Sequence, residues 1–185
     1  MTLATAAGLS AVLAASIVWH SAYAEFSDTT QPAPVQVSTG TVVLGNNLSA
    51  SAAFAVEGLK PGASESRCFV VTSTGSVPAA VKVYGGGRTA SSLSRYLSLS
   101  IVAGSGGGPN GGCAGFTSAG QVYSGMLAGF TASSFATGLD SWTTTGNVSG
   151  ESRTYRITYS LPAETSVSAQ DTAATIAFTW EAQSA

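Results

Sequence analysis

The segment Ser152-Arg153-Thr154-Tyr155-Arg156-Ile157-Thr158-Tyr159-Ser160-Leu161 decides the fold class. Tyr155, Ile157, Tyr159 and Leu161 form an apolar side, and Arg153, Arg156, Thr158 and Ser160 are assigned to the wet side, the pattern of a half-buried β-strand. Working outward, Ala80 to Tyr84 repeats the alternation, with Val81 and Val83 opposing Lys82 and Tyr84. Further strand candidates are Val35 to Leu44, Leu48 to Val56, Ser66 to Thr72, Tyr96 to Val102, Gln121 to Leu127 and Ala173 to Trp180, separated by Gly, Pro, Ser and Asn. No stretch repeats apolar residues at helical spacing over three turns, so the class is all-β. About eight antiparallel strands at this spacing suit two packed sheets, a jelly roll or a related Greek-key sandwich. Between residues 128 and 142, Phe130, Phe135, Leu139 and Trp142 stand among small polar residues, and a short helical turn closing one end of the sandwich is expected there. The run from Gly104 to Gly112 reads as a flexible, exposed loop leading into Cys113.

The chain has 185 residues, enough for one domain with a proper core. Charged residues make up 9%, against about a quarter in an average soluble protein. With a formal net charge of −2 there is no basic patch to neutralise a row of phosphates, which argues against nucleic acid as a partner.

Residues 1–24 carry no Lys, Arg, Asp or Glu, and the apolar run from Leu9 to Trp19 ends in Ser21-Ala22-Tyr23-Ala24. Small residues at Ala22 and Ala24 suit a signal peptidase, and the run is shorter than the roughly 20 residues of a membrane span. The expected organisation is a signal peptide over 1–24, an N-terminal arm over 25–37 and a sandwich domain over 38–185, secreted and free of the membrane after processing. Cys68 and Cys113 lie outside any Cys-x-x-Cys arrangement, so one disulfide in an oxidising compartment is expected, the alternative being two buried thiols.

Catalytic chemistry finds little support. The one histidine, His20, lies within the signal segment, so the processed chain could build neither a Ser-His-Asp triad nor a histidine zinc site. Glu57, Glu65, Asp140, Glu151, Glu164, Asp171 and Glu181 are scattered singly, as solvated surface charges would be. The glycine-rich stretches lack the Lys-Ser/Thr ending of a phosphate-binding loop. No catalytic residue, cofactor or metal site is expected.

Four landmarks in order carry a resemblance. They are Ala24 followed by Phe26-Ser27-Asp28 and Thr39-Gly40-Thr41-Val42-Val43-Leu44; Gly58-Leu59-Lys60-Pro61-Gly62 followed by an alternating strand and Ser73-Thr74-Gly75-Ser76; Tyr155-Arg156-Ile157-Thr158-Tyr159; and Ile176-Ala177-Phe178-Thr179-Trp180-Glu181-Ala182-Gln183. In this order the sequence resembles the TasA/camelysin family of secreted bacterial proteins, with the Leu59-Lys60-Pro61-Gly62 turn as the most specific match. The resemblance implies an exported jelly roll that assembles into biofilm-matrix fibres by donor-strand exchange, a form of β-augmentation. On this sequence the donor would lie between Glu25 and Val37, with Glu25, Phe26, Val35 and Val37 as its contact residues. Pro32 and Pro34 each remove a backbone donor from that segment, and a free N-terminal arm is the competing reading. Camelysin is described as a metallopeptidase, an activity for which the processed chain offers no imidazole. The expected partner is therefore another copy of the chain in a filament, together with a cell-envelope or matrix component. The alternative is a monomeric surface module binding a glycan or envelope protein through the loop from Gly104 to Gly112 and Tyr123, Phe130 and Trp142. A secreted hydrolase using two converging carboxylates is the remaining class.

Overall fold

The computed structural model describes residues 27–29, 44–46, 52–56, 59–87, 91–165 and 173–184. The described residues form ten strands: β1 (Ser27–Thr29), β2 (Leu44–Asn46), β3 (Ala52–Val56), β4 (Ser64–Ser73), β5 (Ala79–Gly86), β6 (Ser98–Ser105), β7 (Thr117–Met126), β8 (Leu139–Thr143), β9 (Glu151–Ser160) and β10 (Ala174–Ser184). One sheet has the order β3-β10-β5-β8, and the other β4-β9-β6-β7. Every pairing is antiparallel, and the pairs β3/β10, β4/β9, β5/β8 and β6/β7 nest inside one another. This is one long antiparallel ribbon rolled into two layers, the jelly-roll connectivity. β1 and β2 are additions to it, on β10 and β4 respectively.

The inward faces follow the alternation. Phe69 and Val71 of β4, Val81 and Val83 of β5, Leu99 and Ile101 of β6, and Tyr155, Ile157 and Tyr159 of β9 are buried. β10 contributes Ile176, Phe178 and Trp180 to the same core. The Trp180 ring is fully enclosed, with its centroid 5.4 Å from both the Phe69 and the Tyr155 rings, so it joins the two layers at mid-core. Gly85 allows the other end to close: a Cβ there would stand 2.8 Å from Ile176 Cδ1 and 3.0 Å from Phe130 Cε1.

Three features differ from the sequence reading. Residues 128–142 hold short 3-10 turns at Leu127–Gly129 and Phe135–Thr137, but they also hold β8, an edge strand that the pattern does not announce. Arg153 lies on the inner side of β9 with Tyr155, since it pairs with buried Val71, whereas the other three residues assigned to the wet side, Arg156, Thr158 and Ser160, do face outward. The stretch from Gly104 to Gly112 is not uniformly exposed. Gly104 and Ser105 end β6, Gly108 and Gly111 are buried, and Gly108 N–H donates to Gly112 O at 2.7 Å. A Cβ on Gly104 would meet Thr117 O at 2.0 Å, so glycine here permits close packing.

Trp180→Ala should cost about 3–5 kcal/mol of stability. Urea unfolding checks this: the midpoint should fall steeply while the denaturant slope stays near that of the parent.

Candidate functional site

The two cysteines are joined. Cys68 points outward from β4, opposite the side of Phe69, and its disulfide to Cys113 spans a Cα–Cα distance of 5.2 Å. Cys113 belongs to the loop at the tip of the ribbon, between β6 and β7, so the bond pulls that tip back across the outer face of the β4-β9-β6-β7 sheet. Phe116 then covers Arg156, whose guanidinium carbon sits 4.8 Å from the ring centroid. Arg156 is the register partner of both Cys68 on β4 and Val102 on β6, so the ribbon tip lies over this part of the sheet's outer face.

The Leu59-Lys60-Pro61-Gly62 segment is a turn at the opposite end. Ala63 N–H donates to Lys60 O at 2.9 Å, and Gly62 has φ +83°. Proline followed by a positive-φ glycine is the arrangement of a type II turn. Leu59 packs on the core, and Gly62 N–H donates to Leu161 O at 2.8 Å, tying the turn to the end of β9.

Ala22, Ala24, Glu25, Phe26, Val35 and Val37 lie outside the described residues. The neighbouring segment is β1, which pairs with β10 through Ser27↔Gln183, Asp28↔Ala182 and Thr29↔Glu181. β3 pairs with the same edge of β10 from Ala174 to Phe178. The two short strands therefore share one edge end to end. β1 holds its part by three residues, while β5 pairs along the opposite edge from Ala177 to Ser184.

Four of the described carboxylates, Glu65, Glu181, Asp140 and Glu151, serve as anchors. Glu65 accepts the Tyr159 hydroxyl at 2.5 Å, Glu181 the Tyr84 hydroxyl at 2.8 Å, and Asp140 the Tyr155 hydroxyl at 2.8 Å. Asp140 also faces Arg153 Nε at 3.1 Å, so β8 of one sheet is clasped to β9 of the other. Glu151 accepts from Thr145 N–H at 2.8 Å and Asn147 N–H at 3.1 Å, which lowers its pKa through the Asn147 bond first. Burial, then the bond to Glu181, pushes Tyr84 up to about 12. Burial, then the bond to Glu65, does the same for Tyr159, also to about 12. Tyr155 is raised further, by burial and by the Asp140 charge.

Among the described residues there is no group of three or more His, Cys, Asp and Glu side chains placed to hold a metal ion. Of the aromatic residues considered for glycan stacking, Phe130 is buried, with Tyr123 edge-on against it at 4.9 Å, and Trp142 packs on the core. One feature the sequence does not single out is a groove of about 280 Å³ on the outer face of the same sheet, on the side of Arg156 toward Ser160, lined mainly by serine and threonine. Its signal is the run of hydroxyl residues at alternate positions, visible only once the strands are in register.

No protein-family model, curated protein or solved structure matches the chain. Among the described residues no helix is long and apolar enough to cross a membrane.

Replacing both Cys68 and Cys113 by serine should lower stability by up to about 4 kcal/mol in the chain-entropy account of a loop this size, read by urea unfolding beside the disulfide-bonded parent. Raised tyrosine pKa values stabilise the fold fully below the unfolded pKa near 10, and that stability disappears as pH climbs toward about 12. A phenolate absorbance titration should show Tyr84 and Tyr159 ionising late, with Tyr155 ionising only as the fold opens. Tyr84→Phe and Tyr159→Phe should each make alkaline unfolding less steep.

Proposed function

We propose that the chain is an exported structural protein of the extracellular matrix or cell surface, assembling into fibres by strand exchange at the β10 edge. The observation that carries this reading is the tandem cover of that edge, in which β1 is a separate three-residue strand beside β3. Three residues offer few backbone hydrogen bonds, and an identical segment from another copy would make the same ones. Such an exchange costs little at equilibrium, and because it is head to tail it propagates instead of closing. Low charge supports the reading by limiting repulsion between copies. The disulfide supports an oxidising location. The order of motifs that resembles the TasA/camelysin family points the same way, and no reaction is proposed.

Electron microscopy of protein beginning at Glu25 should show filaments, and protein lacking residues 25–34 should give monodisperse particles. A second measurement traps the exchange directly. With Ser27→Cys and Gln183→Cys together, oxidation of assembled protein should give a ladder of covalent multimers on a non-reducing gel. Monomers cross-linked only within themselves, at concentrations where the parent assembles, would sink the strand-exchange reading.

A further inference from the structure

Beyond Arg156, toward Ser160, the outer face of the β4-β9-β6-β7 sheet carries a regular set of hydroxyls. In one row across the sheet, Ser64 of β4 pairs with Ser160 of β9, which pairs with Ser98 of β6, which pairs with Met126 of β7. In the next row the residues are Ser66, Thr158, Ser100 and Ser124. Neighbouring strands stand about 4.8 Å apart, and successive rows are about 7 Å apart along each strand. The groove of about 280 Å³ runs over both rows, from β9 across β6 to β7.

We propose that this groove binds a neutral polysaccharide chain. Among the described residues no charged side chain lines it, and the nearest charge on this face in register, Arg156, is covered by Phe116. An anionic or cationic ligand would find no counter-charge there. A hydroxyl can donate or accept and rotates to suit, so a hydroxyl array complements a ligand that is itself dense in hydroxyls. Two contacts already show this: Ser66 Oγ and Thr158 Oγ1 share a hydrogen bond at 2.7 Å, and Gln121 Nε2 donates to Ser100 Oγ at 3.1 Å. A sugar ring also needs a surface for its C–H face. Met126 provides one at the rim, because its side chain is 45% exposed, one of two large apolar residues so exposed among those described. A thioether chain is polarisable and adapts to an irregular partner. The groove falls just under the roughly 300 Å³ at which enclosed small-molecule sites begin. An open trench with repeating rows fits a polymer laid across the strands better than a single small molecule.

This site lies on the sheet opposite the β1–β10 edge, so its success or failure is independent of strand exchange. The test is co-sedimentation of the full-length protein with insoluble cellulose, curdlan and chitin, with alginate gel as the acidic control. Retention is expected on at least one neutral polysaccharide and not on alginate. Ser124→Glu and Met126→Ser, both at exposed β7 positions, should each weaken it about tenfold. Ser118→Glu, at the far end of the same strand, should leave it within twofold, with circular dichroism confirming that all three variants fold. Retention on none of the neutral polysaccharides overturns the proposal. So does retention only on alginate, or retention unchanged by both groove variants. If Ser124→Glu instead abolishes a concentration-dependent dimer and no polysaccharide is retained, the face belongs to a second copy and the proposal also fails.

Discussion

β10 pairs with β5 along one edge and with β3 and β1 along the other, and its inward residues Ile176, Phe178 and Trp180 run through the core. A strand with neighbours on both sides and an enclosed face has no position from which it can fray independently. The nesting of pairs gives this strand its weight. β6 with β7 closes locally, whereas β3 with β10 joins segments at opposite ends of the ribbon and closes the roll. Loop-closure entropy makes that last pairing the slowest to form. Core burial by Trp180, against rings from the facing sheet, is the gain that drives it.

The few charges in the protein are used economically in space. Three carboxylates accept tyrosine hydroxyls, and one of these, Asp140, also meets Arg153 where β8 would otherwise be an isolated edge. Edge strands need such protection because their free backbone groups invite other chains. β7 is irregular for the same reason of position: its pairing with β6 shifts register twice, which bends a ten-residue edge away from a flat template. β10 differs, since its outer edge is covered by short separate pieces.

The alternation in β4, β5, β9 and β10 made those strands legible, because a half-buried sheet imposes a two-residue period that side chains cannot evade. The Pro61-Gly62 pair likewise specifies its turn through backbone conformation alone. β8 was not legible: Leu139-Asp140-Ser141-Trp142-Thr143 is short, and Asp140 adopts φ +71°, a conformation composition does not forecast. The glycines around Gly104 misled in a different way. Glycine serves freedom and close contact equally well, and only the neighbouring Thr117 carbonyl distinguishes them. The Cys68–Cys113 pairing could be anticipated because there are two cysteines, but not that it folds the ribbon tip over a sheet. The hydroxyl groove depends on three strands, β9, β6 and β7, lying in register, and each serine alone reads as an ordinary outward residue.

The central place of β10 also constrains the order of events during synthesis. A nascent chain still attached to the ribosome before Ser184 has emerged lacks the middle of one layer and the indole that joins both. Until then the ribbon lacks the strand that pairs with β3, β1 and β5 and so has no closed core.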